Sequence, residues 1–211
     1  MSYSLLAHLY PHIKGSQEDI ATFSLQYLLL QSKELNRTFT KRISNIMAID
    51  TDETLQYVCQ STGKGVERER PDMSALDSNG DEVILCEMKF YATLTINQPL
   101  TYLDRLKENG GKGLIFVCPE ARLTNLWYKL KELCSGRNIE EVNQYCVKVD
   151  DVKLAIVTWA EIIELLKQVA SSTAVEFSAD VKQLEGYCNQ LDSEAFIPFT
   201  AEDLSAEMAN K

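Results

Sequence analysis

Histidine is nearly missing from these 211 residues: there are two, His8 and His12. Pro11 lies between them, which argues against a shared helical face, and neither stands at a metal-ligand spacing from a cysteine. The usual zinc arrangements are thereby removed. The sequence also has no CxxC pair, no Gly-rich phosphate loop and no Ser/His/Asp grouping that would support another chemistry. The six cysteines (Cys59, Cys86, Cys118, Cys134, Cys146 and Cys188) are scattered, several inside apolar runs. A free thiol there acts as a small hydrophobe, so the expectation is reduced core thiols in a cytoplasmic protein. Long apolar runs are lacking as well. The longest, such as "LIFVC" at 114–118, fit buried strands rather than a membrane span. The opening "MSYSLLAHLYPHIKG" has no basic n-region and its apolar part is broken by His and Pro, so no secretory signal is expected. Positive charge is also in deficit: 21 Lys and Arg stand against 31 Asp and Glu, a formal net charge of −10. That argues against a broad basic nucleic-acid surface. It leaves room for metal-binding carboxylates beside a local basic cleft.

What is present reads as an α/β protein. "SLLAHLY" at 4–10 is a candidate short helix. The stretch 15–35 is predicted helical, with Ser16 as cap and Asp19 three residues later. Its apolar residues Ile20, Phe23, Leu25, Tyr27, Leu28 and Leu30 cover more than one face, the mark of a well-buried helix. A strand is predicted over 55–60, then a charged loop or strand approach over 63–70. Further on, a helix at 98–109 tolerates Pro99 in its first turn, and "LIFVCP" follows as a strand. Leu123, Leu126, Leu130 and Leu133 form one helical stripe. A strand at 152–159 leads into a helix whose Thr158 and Glu161 have capping-box spacing, and another helix is expected near 175–191. Strand–helix alternation implies a central sheet that is at least partly parallel and flanked by helices. The expected division is a domain over 1–171 and a helical extension over 172–211. Thr200 and Asp203 open a closing helix of about two turns, which suits either a frayed terminus or a chain that continues into a further region.

The most informative stretch is "RPDMSALDSNGDEVILCEMKF", residues 70–90. Asn79-Gly80 between two alternating runs signals a two-residue type I′ hairpin. In that register partners sum to 159, so Leu76 faces Val83, Ser74 faces Leu85 and Asp72 faces Glu87, with Cβ atoms roughly 4.5–5.5 Å apart. Lys89 falls on the same face. Two carboxylates opposed on a sheet destabilise it unless something compensates them. A divalent cation would do so, since Mg²⁺ is held by one or two carboxylates plus waters and phosphate oxygens. The ordinary alternative is a solvated charged hairpin face, against which Pro71 and the apolar "VILC" both count.

Pro71-Asp72 followed by Glu87-Met88-Lys89 resembles the PD-(D/E)XK nuclease superfamily, and Gln98 with Tyr102 looks like the Gln-x3-Tyr element of its RecB-like branches. The resemblance implies a restriction-endonuclease-like core, a mixed sheet flanked by helices, spanning residue 16 to about 169. It implies Mg²⁺ or Mn²⁺ at Asp72 and Glu87, with the Met88 carbonyl contributing, and Lys89 activating the water or stabilising the transition state. Glu18 matches the acid that many members add from the first helix; a first-turn acid favoured by the helix dipole is its other reading. Gln98 would act near the water or phosphate, or merely start a helix. Tyr102 would meet substrate or serve as a core aromatic. The stretch from Cys86 to Trp127 is also similar to a group of bacterial proteins that carry such a domain at the N-terminus.

Arg70, with Lys64, Arg68, Lys41 and Arg42, could contact the phosphate backbone; a solvated charged loop is the competing reading. Trp127, on the Leu stripe, is read as core. The expectation is therefore a metal-dependent nuclease acting on DNA, with no membrane partner and with a homodimer in view because many such nucleases pair to cut two strands. The alternative is a nuclease-like module that no longer cuts and binds a protein or nucleic acid instead.

Overall fold

The computed structural model describes residues 17–59, 70–95, 98–173 and 175–195. The expected elements at 4–10 and 200–211, the Ser16 cap, and Lys64 and Arg68 lie outside them. The first helices are α1 (Gln17–Gln31) and α2 (Lys33–Met47). Sequence reasoning ran a single helix through 35. The chain instead restarts at Ser32, whose backbone is extended and whose hydroxyl accepts a hydrogen bond from the Leu35 N–H at 3.2 Å, satisfying an amide the new helix leaves open. In α2, Leu35, Phe39, Ile43 and Met47 recur every four residues and are buried.

Three strands follow: β1 (Gln56–Cys59), β2 (Met73–Leu76) and β3 (Glu82–Met88). Then come α3 (Leu100–Asn109), β4 (Gly113–Cys118), a 3₁₀ turn (Glu120–Arg122) and α4 (Leu123–Leu133). A hairpin of β5 (Ile139–Asn143) and β6 (Cys146–Val149) precedes β7 (Val152–Thr158), α5 (Trp159–Thr173) and α6 (Val175–Ala195). The hairpin β5–β6 was not anticipated. β5 is charged and largely exposed, and β6 has four residues, so neither carries much apolar signal.

The seven strands form one mixed sheet in the order β1-β2-β3-β4-β7-β6-β5. β3, β4 and β7 run parallel; the outer pairs are antiparallel. This α/β sheet flanked by helices is consistent with a restriction-endonuclease-like arrangement. Alternation along the strands separates two cores. Cys86, Met88, Ile115, Val117, Ala155 and Val157 pack with α1, α2, α5 and α6. Leu85, Leu114, Phe116, Leu154 and Ile156 pack with α3 and α4, where Leu126, Trp127 and Leu130 are buried. α6, within the expected C-terminal extension, adds Val181, Leu184, Cys188 and Leu191 to the first cluster. All six cysteines are free, and all but Cys59 are buried. Among the described residues no helix is long and apolar enough to cross a membrane.

The turn between β2 and β3 is not the two-residue type I′ loop. That turn needs positive φ at both central residues; Gly80 has φ +85°, but Asn79 does not. The Asp77 side chain is the reason. Its Oδ1 accepts from the N–H groups of Asn79 (2.9 Å) and Asp81 (3.0 Å), which draws the loop out to Asp77–Asp81. The extra residue is absorbed at once: Ala75 pairs with Ile84 but Leu76 with Glu82, leaving Val83 in a bulge. Ser74 therefore still faces Leu85 and Met73 faces Cys86, the pairing that sums to 159.

An ion pair fastens α3 to this hairpin. The buried Arg105 reaches both carboxylate oxygens of Glu82, with Nε–Oε2 at 2.8 Å, and Ser74 Oγ donates to Glu82 Oε1 at 3.0 Å. Removing one member of a buried pair leaves the other charge uncompensated. Arg105→Ala should cost about 3 kcal/mol in urea denaturation at neutral pH; a loss below about 1 kcal/mol, the range of exposed pairs, would show that the bridge contributes little.

Candidate active site

β3 carries the alternation past its apolar residues, so Glu87 falls on the face of Leu85, toward α3. It is 3% exposed and Lys89 is 6% exposed. Charged side chains are seldom this buried without partners. Glu87 Oε1 has two: Lys89 Nζ at 2.7 Å and Gln98 Nε2 at 2.7 Å. The other oxygen, Oε2, is buried and no hydrogen-bond partner reaches it among the described residues. Gln98 Nε2 lies also 3.2 Å from the Tyr102 hydroxyl, which donates to the Arg70 carbonyl at 2.9 Å. The Gln98 Oε1 accepts from the Thr95 N–H at 3.3 Å, so the amide orientation is held from its own loop.

Asp72 sits just before β2 and meets β3 directly: its Oδ2 accepts from the Met88 N–H at 2.6 Å. Burial, and then the neighbouring Glu87 carboxylate, hold the Asp72 carboxyl well above the ordinary carboxylate range. The Met88 N–H and Lys89 pull the other way without prevailing. Burial likewise pushes the Tyr102 phenol up, with Glu87 adding to the effect. The site is thus short of positive charge despite its lysine.

The structure brings Asp72, Glu87, Lys89, Gln98 and Tyr102 into one network. Met88 contributes its N–H to that network while its side chain is fully buried in the core. Arg70 touches the network through its carbonyl, and its side chain is exposed. Glu18 comes from α1 on the opposite face of the sheet and approaches round the end of β3. Its Oε1 accepts from the N–H groups of Phe90, Tyr91 (2.9 Å) and Ala92 (3.2 Å). It also contributes to the raised Asp72 pKa, so its charge is felt at the acid pair.

One residue that contacts the site's surroundings was missed by sequence reasoning. Arg122, in the 3₁₀ turn after β4, donates from Nη1 to the Phe90 carbonyl at 2.7 Å and from Nη2 to that of Ala92 at 3.1 Å. More than thirty residues separate it from the hairpin, and no local spacing announces the contact.

Comparisons with protein-family models, with curated proteins and with solved structures return no match for this chain. The chemistry of the donor set is what bears on a metal. Among the described residues no group of three or more His, Cys, Asp or Glu side chains could hold an ion by itself. Among the described residues, then, no all-protein cage is built. A carboxylate pair with one orphaned buried oxygen and one starved acid fits the other type of site, in which waters and substrate phosphate complete the shell of Mg²⁺ or Mn²⁺.

Proposed function

We propose that this protein is a metal-dependent nuclease of the PD-(D/E)XK type that hydrolyses phosphodiester bonds, with DNA as its first candidate substrate. The observation that carries the reading is the buried Glu87–Lys89 pair at the end of β3 with the half-buried Asp72 beside it, and with Glu87 Oε2 left without a partner among the described residues. Burying like charges side by side is unfavourable, and the cluster becomes intelligible if a divalent cation completes it. Asp72 and Glu87 would hold the ion, with the Met88 carbonyl as the backbone donor that the family resemblance implies. When bound, such an ion supplies positive charge to the scissile phosphate and lowers the pKa of an attacking water.

The chain's own groups do the rest. Glu87 Oε1, held from the other side by Gln98, fixes the Lys89 ammonium, which is then placed to stabilise negative charge as it develops on the phosphate. Gln98 is steadied by Tyr102 and the Thr95 N–H, so its amide presents a fixed donor to Glu87. Asp72 is anchored by the Met88 N–H at one oxygen.

One observation favours a second reading, a nuclease-like module that binds without cutting: Glu18 spends its Oε1 on three backbone N–H groups rather than joining the acid pair. Cleavage separates the two. Labelled linear, circular and single-stranded DNA should be cut with Mn²⁺ or Mg²⁺ and left intact in EDTA. Wild-type protein that binds Mn²⁺ in calorimetry yet cuts none of these, nor RNA, would remove the enzymatic reading.

A further inference from the structure

The chain between Lys89 and Gln98 contains a turn, residues 90–92, whose backbone is gripped from two directions. Glu18 takes its three N–H groups and Arg122 takes two of its carbonyls. Both grips are charge-assisted, the stronger kind of hydrogen bond. The side chains are anchored as well. Phe90 stacks on Trp159 with ring centroids 5.3 Å apart, and the Tyr91 hydroxyl donates to the Leu191 carbonyl at 2.6 Å.

The outer face of this turn borders a cleft of about 390 Å³. Tyr91, Thr93 and Leu94 form one wall; Arg122, Asn125 and Lys129 form the other. α4 packs on the same face of the sheet to which Glu87 turns, so the cleft and the acid pair share a side of the molecule. The first wall belongs to the described stretch that follows Lys89 in the chain. Asn125 and Lys129, four residues apart on α4, are exposed on one side of that helix. Among the described residues the Lys129 ammonium makes no ion pair or side-chain hydrogen bond, so its charge is not spent within the fold. Tyr91 remains 37% exposed although its hydroxyl is tied down.

We infer that this cleft seats a single-stranded segment of nucleic acid next to the cleaved phosphate. Lys129 meets a backbone phosphate, Asn125 a polar edge, and Tyr91 with Leu94 the sugar or base. A cation and a partly exposed aromatic ring on facing walls of one cleft suit a single strand, which offers phosphate and base face together. The volume is that of a small-ligand site, on the scale of a nucleotide unit rather than of a whole duplex. Two local cations, Lys129 and the carbonyl-bound Arg122, on a chain of net charge −10 imply modest, salt-sensitive binding. The inference rests on the nuclease reading for the position of the cleaved bond, but the binding itself is testable without cleavage.

The test uses the full chain in EDTA with a short fluorescein-labelled oligothymidine, read by fluorescence polarisation across a salt series. Lys129→Glu should weaken binding about tenfold and flatten the dependence of log K on log salt by about 0.7. Lys33→Glu makes the same charge change at an exposed lysine near the Asp77–Ser78 turn, at the other end of β3, and should change neither quantity. With Mn²⁺ present, Lys129→Glu should raise KM about tenfold and hold kcat within about twofold. Binding that is unaltered by Lys129→Glu, or weakened equally by Lys33→Glu, would overturn the inference, as would no binding by wild type at low salt. Lys129-dependent binding without any metal-dependent cutting would instead sink the nuclease reading and leave the strand site standing.

Discussion

Glu87→Gln should reduce metal-dependent cleavage by at least about three orders of magnitude, equivalent to roughly 4 kcal/mol of transition-state stabilisation, while the protein stays folded. The substitution is chosen for what it keeps. The Gln carbonyl oxygen can still accept from Lys89 Nζ and Gln98 Nε2, the two contacts made by Glu87 Oε1. What disappears is the charge and the second carboxylate oxygen, the one that has no partner. Lys89 would keep Asp72 as a nearby carboxylate, so its burial remains partly compensated. Stability should therefore fall less than the ~3–5 kcal/mol typical of breaking an isolated buried pair. Alanine is the poorer probe, because it takes from Lys89 its carboxylate partner and from Gln98 one of its two acceptors, leaving Gln98 only the Tyr102 hydroxyl. Cleavage rate, Mn²⁺ calorimetry and far-UV circular dichroism on the same preparation give the answer. A folded Glu87→Gln protein that cuts at the wild-type rate would remove Glu87 from the mechanism.

Asp72→Asn should move activity and stability in opposite directions. The Asn oxygen can accept the Met88 N–H as Asp72 Oδ2 does. The carboxyl, by contrast, is disfavoured as an anion first by burial and then by Glu87. Removing that penalty should stabilise the metal-free protein by about 1 kcal/mol, since an unfavourable half-buried charge is replaced by a neutral, hydrogen-bonded amide. For a chain of this size each kcal/mol shifts Tm by about 2–4 °C. Cleavage should fall about a thousandfold, and the rise in Tm that Mn²⁺ gives to wild type through binding should vanish. Differential scanning fluorimetry in EDTA and in Mn²⁺ reads both effects. A lower Tm for the variant in EDTA would mean that Asp72 is a structural residue whose charge the fold wants, and the metal-site reading would lose its second ligand.

The alternation of "EVILCEM" carries a strand buried on both faces, and its continuation places Glu87 and Lys89 together whatever the turn does. The hairpin partners nearest the site, such as Ser74 with Leu85, were legible for the same reason, but Leu76 was not: it pairs with Glu82 instead of Val83, because the loop is longer than expected and the bulge at Val83 restores the pairing only from Ala75 back. α2 was missed even though Leu35, Phe39, Ile43 and Met47 repeat at helical spacing, because the apolar residues of α1 run almost up to Ser32 and hide the break. The β5–β6 hairpin carries too little apolar pattern to announce itself. Gly113 opens β4 where a Cβ would stand 2.5 Å from Met47 Sδ, a constraint that exists only once α2 lies on the sheet.

The sequence by itself determined the α/β class, the central strands and the proximity of Asp72, Glu87 and Lys89, because each of these follows from short-range periodicity and from pairing across one hairpin. Only the tertiary structure decided how that cluster is finished. Gln98 meets Glu87 because α3 packs over β3; Glu18 crosses from the opposite layer to hold the 90–92 turn; Arg122 closes on the same turn from beyond β4. Hydrogen-bond partners tens of residues apart are selected by which helices share a face of the sheet, and that is set by the packing of two whole cores rather than by any local spacing.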